Sequence, residues 1–182
     1  LIKKYGEYFK ISIGWEKWLL DMASIATLAD QVPLVGENRV IAYYGLKVLK
    51  KTRRPGLVEI FNKAGVKMNN ISEEDITFTL APRINAASRM GDPMDAFRAL
   101  SSDNPVEAKA FACHLSKIND ERKQSVARIM KDVNKTLEKR EEKSVIVIGN
   151  PNWRVGLLGL VASKIVDQYK KTTFVWGSEG SE

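Results

Sequence analysis

The chain has 182 residues, 44% hydrophobic and 28% charged, with a formal net charge of +7. That composition is ordinary for a globular protein and excludes a disordered chain, and the length allows one sizeable domain or two small ones. No apolar run reaches membrane-spanning length, the N-terminus is no signal peptide, and the lone Cys113 leaves no internal disulfide, so a cytoplasmic protein without membrane attachment is expected. The positive excess fits a polyanionic partner.

In chain order, residues 16–30, "EKWLLDMASIATLAD", read as a buried helix, or a helix running into a strand, that ends at Asp30. Pro33 and Gly36 punctuate the turn that follows. Ile41, Leu46 and Leu49 then recur at helical spacing, ahead of a basic tail of Lys50, Lys51, Arg53 and Arg54. Pro55 opens a short helix that Gly65 closes. "SEED" at 72–75 has the form of a capping box, with Ser72 capping and Asp75 in the place of the usual Glu or Gln. Asp92 and Pro93 suit the cap and first position of a helix over "MDAFRAL".

Asn104 and Pro105 begin a helix that no glycine or proline interrupts until after Lys143, giving it a length of ~50 Å. Its apolar stripe runs from Ala108 to Leu137 and breaks in mid-span, where Arg122 takes a slot four residues after Ile118 with Asn119 beside it. That arginine is either at the stripe's edge with its head in water or presented to a cleft. His114 falls on the charged side of this helix, and Cys113 reads as a small packing residue. Beyond it, "SVIVIG" (144–149), "VGLLGLVASKIVDQY" and "TTFVWG" (172–177) form strand, helix, strand, a βαβ unit on a parallel sheet. The start at Leu1 rather than Met, and the stop at "WGSEGSE" with no terminal helix, suggest a piece of a longer protein.

"APRINAASRM" (81–90) sets Arg83 and Arg89 around Asn85 and a run of small residues. Small residues allow close backbone approach, and guanidinium forks match phosphate oxygens. Arg83, held next to Pro82, reads as a phosphate contact with Asn85 as its hydrogen-bonding support, and Arg89 as a further contact. The alternative is surface arginines paired with Glu73 or Asp92. Trp153 closes a βα turn and is either a platform for a base or a packing residue.

Three stretches in order, "DMASIATLADQVPL…ENR" (21–39), "APRINAASRMGD" (81–92) with "INDER" (118–122), and "NWRVGLLGLVASKIVDQY" (152–169), resemble the RecJ-type single-strand-specific exonucleases of the DHH phosphoesterase superfamily. The resemblance implies an α/β chain in which residues 1–100 are the mainly helical end of a DHH domain, 101–143 the long interdomain helix and 144–182 the start of a DHHA1 domain. It makes Asp30 a metal ligand in a two-metal Mn²⁺ or Mg²⁺ centre, whose remaining ligands, with the Asp-His-His triplet, would lie upstream of Leu1. The family's glycine-rich phosphate motif would follow Glu182. Without the resemblance Asp30 is a polar residue at an element's end, and Asp21 reads as an N-cap.

The resemblance further implies single-stranded DNA as substrate, gripped by Arg83, Asn85, Arg89 and Arg122, with Arg39, Asn119 and Trp153 as subsidiary contacts. The implied activity is 5′–3′ hydrolysis of phosphodiester bonds in DNA repair and recombination, with a helicase or single-strand-binding protein as candidate partner. The rival readings are a DHH phosphodiesterase for short oligonucleotides or cyclic dinucleotides, and a catalytically silent replication or repair scaffold. One departure stands out. The family commonly has Trp-His-x-Gly-Val where this chain has Trp153, Arg154, Val155, Gly156 and Leu157, so no role of the imidazole transfers.

Overall fold

The computed structural model describes residues 2–141 and 143–178. Its elements are α1 (Ile2–Tyr8), a 3₁₀ turn over Trp15–Leu19, α2 (Leu20–Ala29), α3 (Gly36–Leu49), α4 (Pro55–Ala64), a π-helical stretch Asp75–Leu80 leading into α5 (Ala81–Met90), α6 (Met94–Ser101), α7 (Pro105–Leu137), β1 (Val145–Gly149), α8 (Val155–Tyr169) and β2 (Thr172–Trp176). The architecture is mostly helical with one two-stranded parallel sheet. Among the described residues no helix is long and apolar enough to cross a membrane. The chain end at 179–182, where no helix is expected, lies outside the described residues.

The chain divides into two compact units, Leu1–Asn85 with Pro93–Ser116, and Ala86–Asp92 with Lys117–Glu182. In the first, Leu49, Leu57, Ile60, Phe61, Ile76 and Leu80 are fully buried. Helices α2 and α3 pack together, as do α4 and α6. Helix α4 has the two boundaries its sequence announces: Pro55 at its first position and Gly65 at its end, at φ 74°. The capping box also forms, with Asp75 Oδ2 accepting from the Ser72 N–H and hydroxyl, each at 2.9 Å, and the Asp75 N–H donating to Ser72 Oγ at 3.3 Å.

Two expected boundaries move. Helix α6 begins at Met94 with Pro93 in the cap position, and α7 ends at Leu137 rather than after Lys143. The start of α7 stands: Asn104 Oδ1 accepts the Val106 N–H at 2.9 Å. Past Leu137 the sequence "EKREEK" is a good helix former with no apolar residue to bury, and packing rather than propensity decides where a helix stops. Cys113 is exposed rather than packed.

In the second unit β1 and β2 pair in parallel from Val145↔Thr172 to Gly149↔Trp176. Ile146 and Ile148 point into a core shared with Val126, Ile129 and Val133 of α7, Trp153, and Leu157, Val161 and Ile165 of α8. Val145 and Val147 face outward and are exposed, so burial alternates along a strand whose sequence is continuously apolar.

Gly56 tests the packing of the first unit. A Cβ there would lie 1.6 Å from the Ala99 carbonyl oxygen, whereas a Cβ at Gly159 of α8 would meet nothing within 4 Å. Gly56→Ala is expected to destabilise by about 1–3 kcal/mol through forced displacement, and Gly159→Ala to stabilise by about 0.5–1 kcal/mol through helix propensity. Denaturant midpoints of the two variants measure this. Effects of the same sign would mean that α4 and α6 do not meet at Gly56.

Candidate functional site

Asp30 closes α2, with helical backbone angles, and is exposed; Gln31 follows it at φ 52°. Of the two readings of residues 16–30, the helical one holds, and Asp30 stands at a helix end. A carboxylate there faces the negative end of the helix dipole, an unfavourable placement by about 0.3–1 kcal/mol. Stability does not explain it. Among the described residues no three His, Cys, Asp or Glu side chains come together as a metal-binding group. Asp30 offers one carboxylate donor.

Asp21 is the other aspartate of the same motif, and its role differs from the N-cap expected. The cap position belongs to Leu19, and Asp21 lies inside the first turn of α2, 3% exposed. Its Oδ1 accepts the Met22 N–H at 2.7 Å, while Oδ2 accepts from Thr52 Oγ1 at 3.2 Å and from Arg54 Nε at 2.8 Å. This buried carboxylate ties the start of α2 to the strand of chain entering α4. Arg54 was visible in the sequence as part of a basic tail, but nothing local identified its partner 33 residues earlier.

Residues 81–90 form a helix, α5. Pro82 lacks an N–H, and its ring crowds the carbonyl one turn before it. The preceding turns widen into the π-helix of Asp75–Leu80, and the Thr79 carbonyl accepts from Arg83 Nη1 at 2.6 Å. Arg83 is thus half-buried with one nitrogen held by its own helix, while Asn85 is exposed. Both belong to the first unit, as do Asp30 and Arg39. Arg39 is exposed on α3, in a hollow it shares with Tyr43, Lys47 and Lys50. Lys47 sits 4.1 Å above the Tyr43 ring and bonds its hydroxyl at 2.8 Å, which lowers the Tyr43 pKa. Ala86 and Ala87 are fully buried. These two alanines therefore serve internal packing, while Ser88 is exposed.

Arg89, Asn119 and Arg122 fall in the second unit. Arg89 Nη1 donates to the Gly156 carbonyl at 3.3 Å. Arg122 is half-buried; burial, and secondarily the charge of Arg89, lower its pKa. Its Nε is buried with no hydrogen-bond partner among the described residues, and the same holds for Oδ1 of Asn119, which is 1% exposed. Two guanidiniums close enough to repel make an arrangement suited to an anion with several oxygens, while the buried Asn119 Oδ1, an acceptor, calls for a donor instead.

Trp153 is 7% exposed and packs in the core, so the packing alternative holds for it. His114, exposed, sits 3.1 Å from Asp95 in the first unit. The residue that sequence reasoning left without a role is Arg154, which donates from Nη1 to the Met90 carbonyl. It lines, with Ser88, Arg89, Asn152 and Gly156, an open hollow of about 570 Å³.

No protein-family model matches the chain. Among curated proteins, the single-stranded-DNA-specific exonuclease RecJ of Bacillus subtilis is 37% identical over 160 residues, which is 87% of this chain and 20% of the relative. RecJ of Thermus thermophilus is 33% identical over 156 residues, 85% of this chain and 22% of the relative. Among solved structures, Thermus thermophilus RecJ in complex with Mg²⁺ superimposes with a TM-score of 0.82 at 28% identity, over 94% of this chain and 27% of that one. An exonuclease RecJ bound to manganese gives 0.80 at 29% identity, over 94% and 43%. The chain spans less than half the length of each of these relatives.

The two aspartates of the 21–30 motif should separate in a thermal melt. Asp21→Ala leaves a partly buried arginine and a buried hydroxyl without their acceptor and is expected to cost about 1–3 kcal/mol. Asp30→Asn removes an unfavourable charge at a helix C-terminus and should be neutral or stabilising by a few tenths of a kcal/mol, a rough figure from the helix-dipole range. A loss of stability at Asp30 equal to that at Asp21 would assign Asp30 a structural role.

Proposed function

We propose, from the similarity of nearly the whole of this chain to part of RecJ, that it is part of a metal-dependent exonuclease acting on single-stranded DNA in the 5′–3′ direction during repair and recombination. In this reading residues 1–100 end the DHH catalytic domain, 101–143 connect, and 144–182 begin the DHHA1 domain. Asp30 is one ligand of a Mn²⁺ or Mg²⁺ pair completed by residues outside this chain; when bound, such ions activate water and stabilise charge on the departing oxygen. Its exposure and its electrostatically unfavourable position support that role.

The observation that carries the nucleic-acid part is the Arg89–Arg122 pair, two like charges near one another, with the Arg122 Nε buried and unpaired among the described residues. A backbone phosphate neutralises the pair and presents several acceptors to the guanidinium N–H groups. Arg83 and Asn85 in the first unit, with Arg39, are further candidates for the strand's backbone. A helicase or single-strand-binding protein is the partner class we propose for the complete protein, in the cytoplasm.

The 182-residue chain alone should show neither tight Mn²⁺ binding by calorimetry nor turnover of a labelled single strand. In the complete protein, Asp30→Ala should abolish turnover while single-strand binding persists. Arg122→Gln and Arg89→Gln should each weaken binding about ten- to a hundredfold, the worth of a charge-assisted hydrogen bond, and flatten the salt dependence by about 0.7 per lost phosphate contact. Unchanged affinity and salt slope in both arginine variants would remove the pair from the interface. A complete protein that binds but never hydrolyses, with any divalent ion, would favour the scaffold.

A further inference from the structure

The Arg89–Arg122 pair poses a mechanical question. Two guanidiniums in a half-buried setting repel, and a long flexible side chain relieves that repulsion by swinging away unless its backbone is fixed. Arg89 is in the last turn of α5, where helices ordinarily fray and carbonyls lack intrahelical partners. Something must hold that turn.

The contacts that do so are reciprocal. Arg89 donates to the carbonyl of Gly156, in the first turn of α8. Arg154, which precedes α8, donates back to the carbonyl of Met90, the last residue of α5, and its Nη1 lies 3.9 Å from the Met90 sulfur. Between the two arginines the backbones touch: a Cβ on Gly156 would lie 2.5 Å from the Arg89 carbonyl oxygen and 3.1 Å from its Cα. Each segment therefore gives an arginine to the other's carbonyl across a contact that admits no side chain. A cation on the terminal carbonyl of α5 is also where the helix dipole favours one.

We propose that Arg154 is a positioning residue, which clamps the C-terminal turn of α5 against α8 and so holds the Arg89 guanidinium near Arg122. This rests on the reading of the pair as a phosphate site. Arg154 acts through Arg89 and need not touch the strand, and a shorter or neutral side chain would free the turn. The ammonium of a lysine could still reach the single carbonyl, because that contact uses one N–H and not the planar fork.

The test is a double-mutant cycle in the complete protein, binding a labelled oligodeoxythymidylate across a salt series, with circular dichroism melts to establish folding. Arg154→Ala should weaken binding about three- to tenfold, the coupling expected of residues acting through a shared backbone shift. Arg154→Lys should recover part of it. Arg89→Ala combined with Arg154→Ala should bind no worse than Arg89→Ala alone. Gly156→Ala, which displaces the Arg89 backbone with Arg154 intact, should reproduce the loss and keeps the idea testable if Arg154→Ala unfolds. Additive losses, with a further drop in salt slope from Arg154→Ala, would overturn the proposal by making Arg154 a direct phosphate contact. An effect of Arg89→Ala with none from Arg154→Ala or Gly156→Ala would overturn it while the phosphate site stands. No effect from Arg89→Ala itself would remove the phosphate site and the proposal together.

Discussion

The second unit depends on one close approach, the seating of Gly156 on the backbone of Arg89. Any side chain at 156 would separate the last turn of α5 from the first turn of α8. The arrangement puts the negative end of one helix against the positive end of another, and it places an arginine from each side on a carbonyl of the other. The sheet and its core sit behind this contact: α8 runs from it with Leu157, Val161 and Ile165 buried against Ile146 and Ile148. Ala86 and Ala87 are fully buried in the turn before Arg89. Bulk is excluded so that the backbones can meet, and the meeting fixes where the charged group points.

Local signals predicted local structure well. Pro55 with Gly65, Ser72 with Asp75, and Asn104 before Pro105 each mark a boundary through hydrogen bonds made within a few residues, and each forms. The strand–helix–strand pattern gave the parallel pair for a different reason, since two strands joined through a helix without a hairpin turn cross over in parallel. What escaped was non-local or lacked a periodic trace. The Asp21–Arg54 pair joins residues 33 apart. The π-helix over Asp75–Leu80 shifts the repeat by a fraction of a turn, too little to show in the spacing of apolar residues. Pro82 was its one visible sign, a residue that cannot continue an ordinary helix without some accommodation behind it.

The two aspartates of "DMASIATLAD" show how burial sorts residues that composition treats alike. Asp21 is enclosed, and both its oxygens accept hydrogen bonds from its own chain, so its charge is used up in holding the fold. Asp30 is exposed, at a helix end that disfavours its charge. An unfavourable surface charge with no local partner role is the kind of local inconsistency expected where a site, rather than stability, has set the residue.

The long helix α7 makes the same point over a greater length. Its first turns bury Ala108, Ala112 and Leu115 in one unit, and its later turns bury Val126, Ile129 and Val133 in the other. Between these two apolar stretches the stripe is interrupted by Asn119 and Arg122. In a helix serving one core such an interruption would be destabilising, because a buried Oδ1 and a buried Nε without partners each forfeit a hydrogen bond made in water. An arginine cannot escape the cost by discharging, since even a lowered pKa leaves it cationic at neutral pH. An anion with several oxygens offsets the guanidinium's part of that cost, whereas the Asn119 Oδ1, an acceptor, needs a donor, so the physical argument for a phosphate backbone beside α7 rests on Arg122 and its neighbour Arg89.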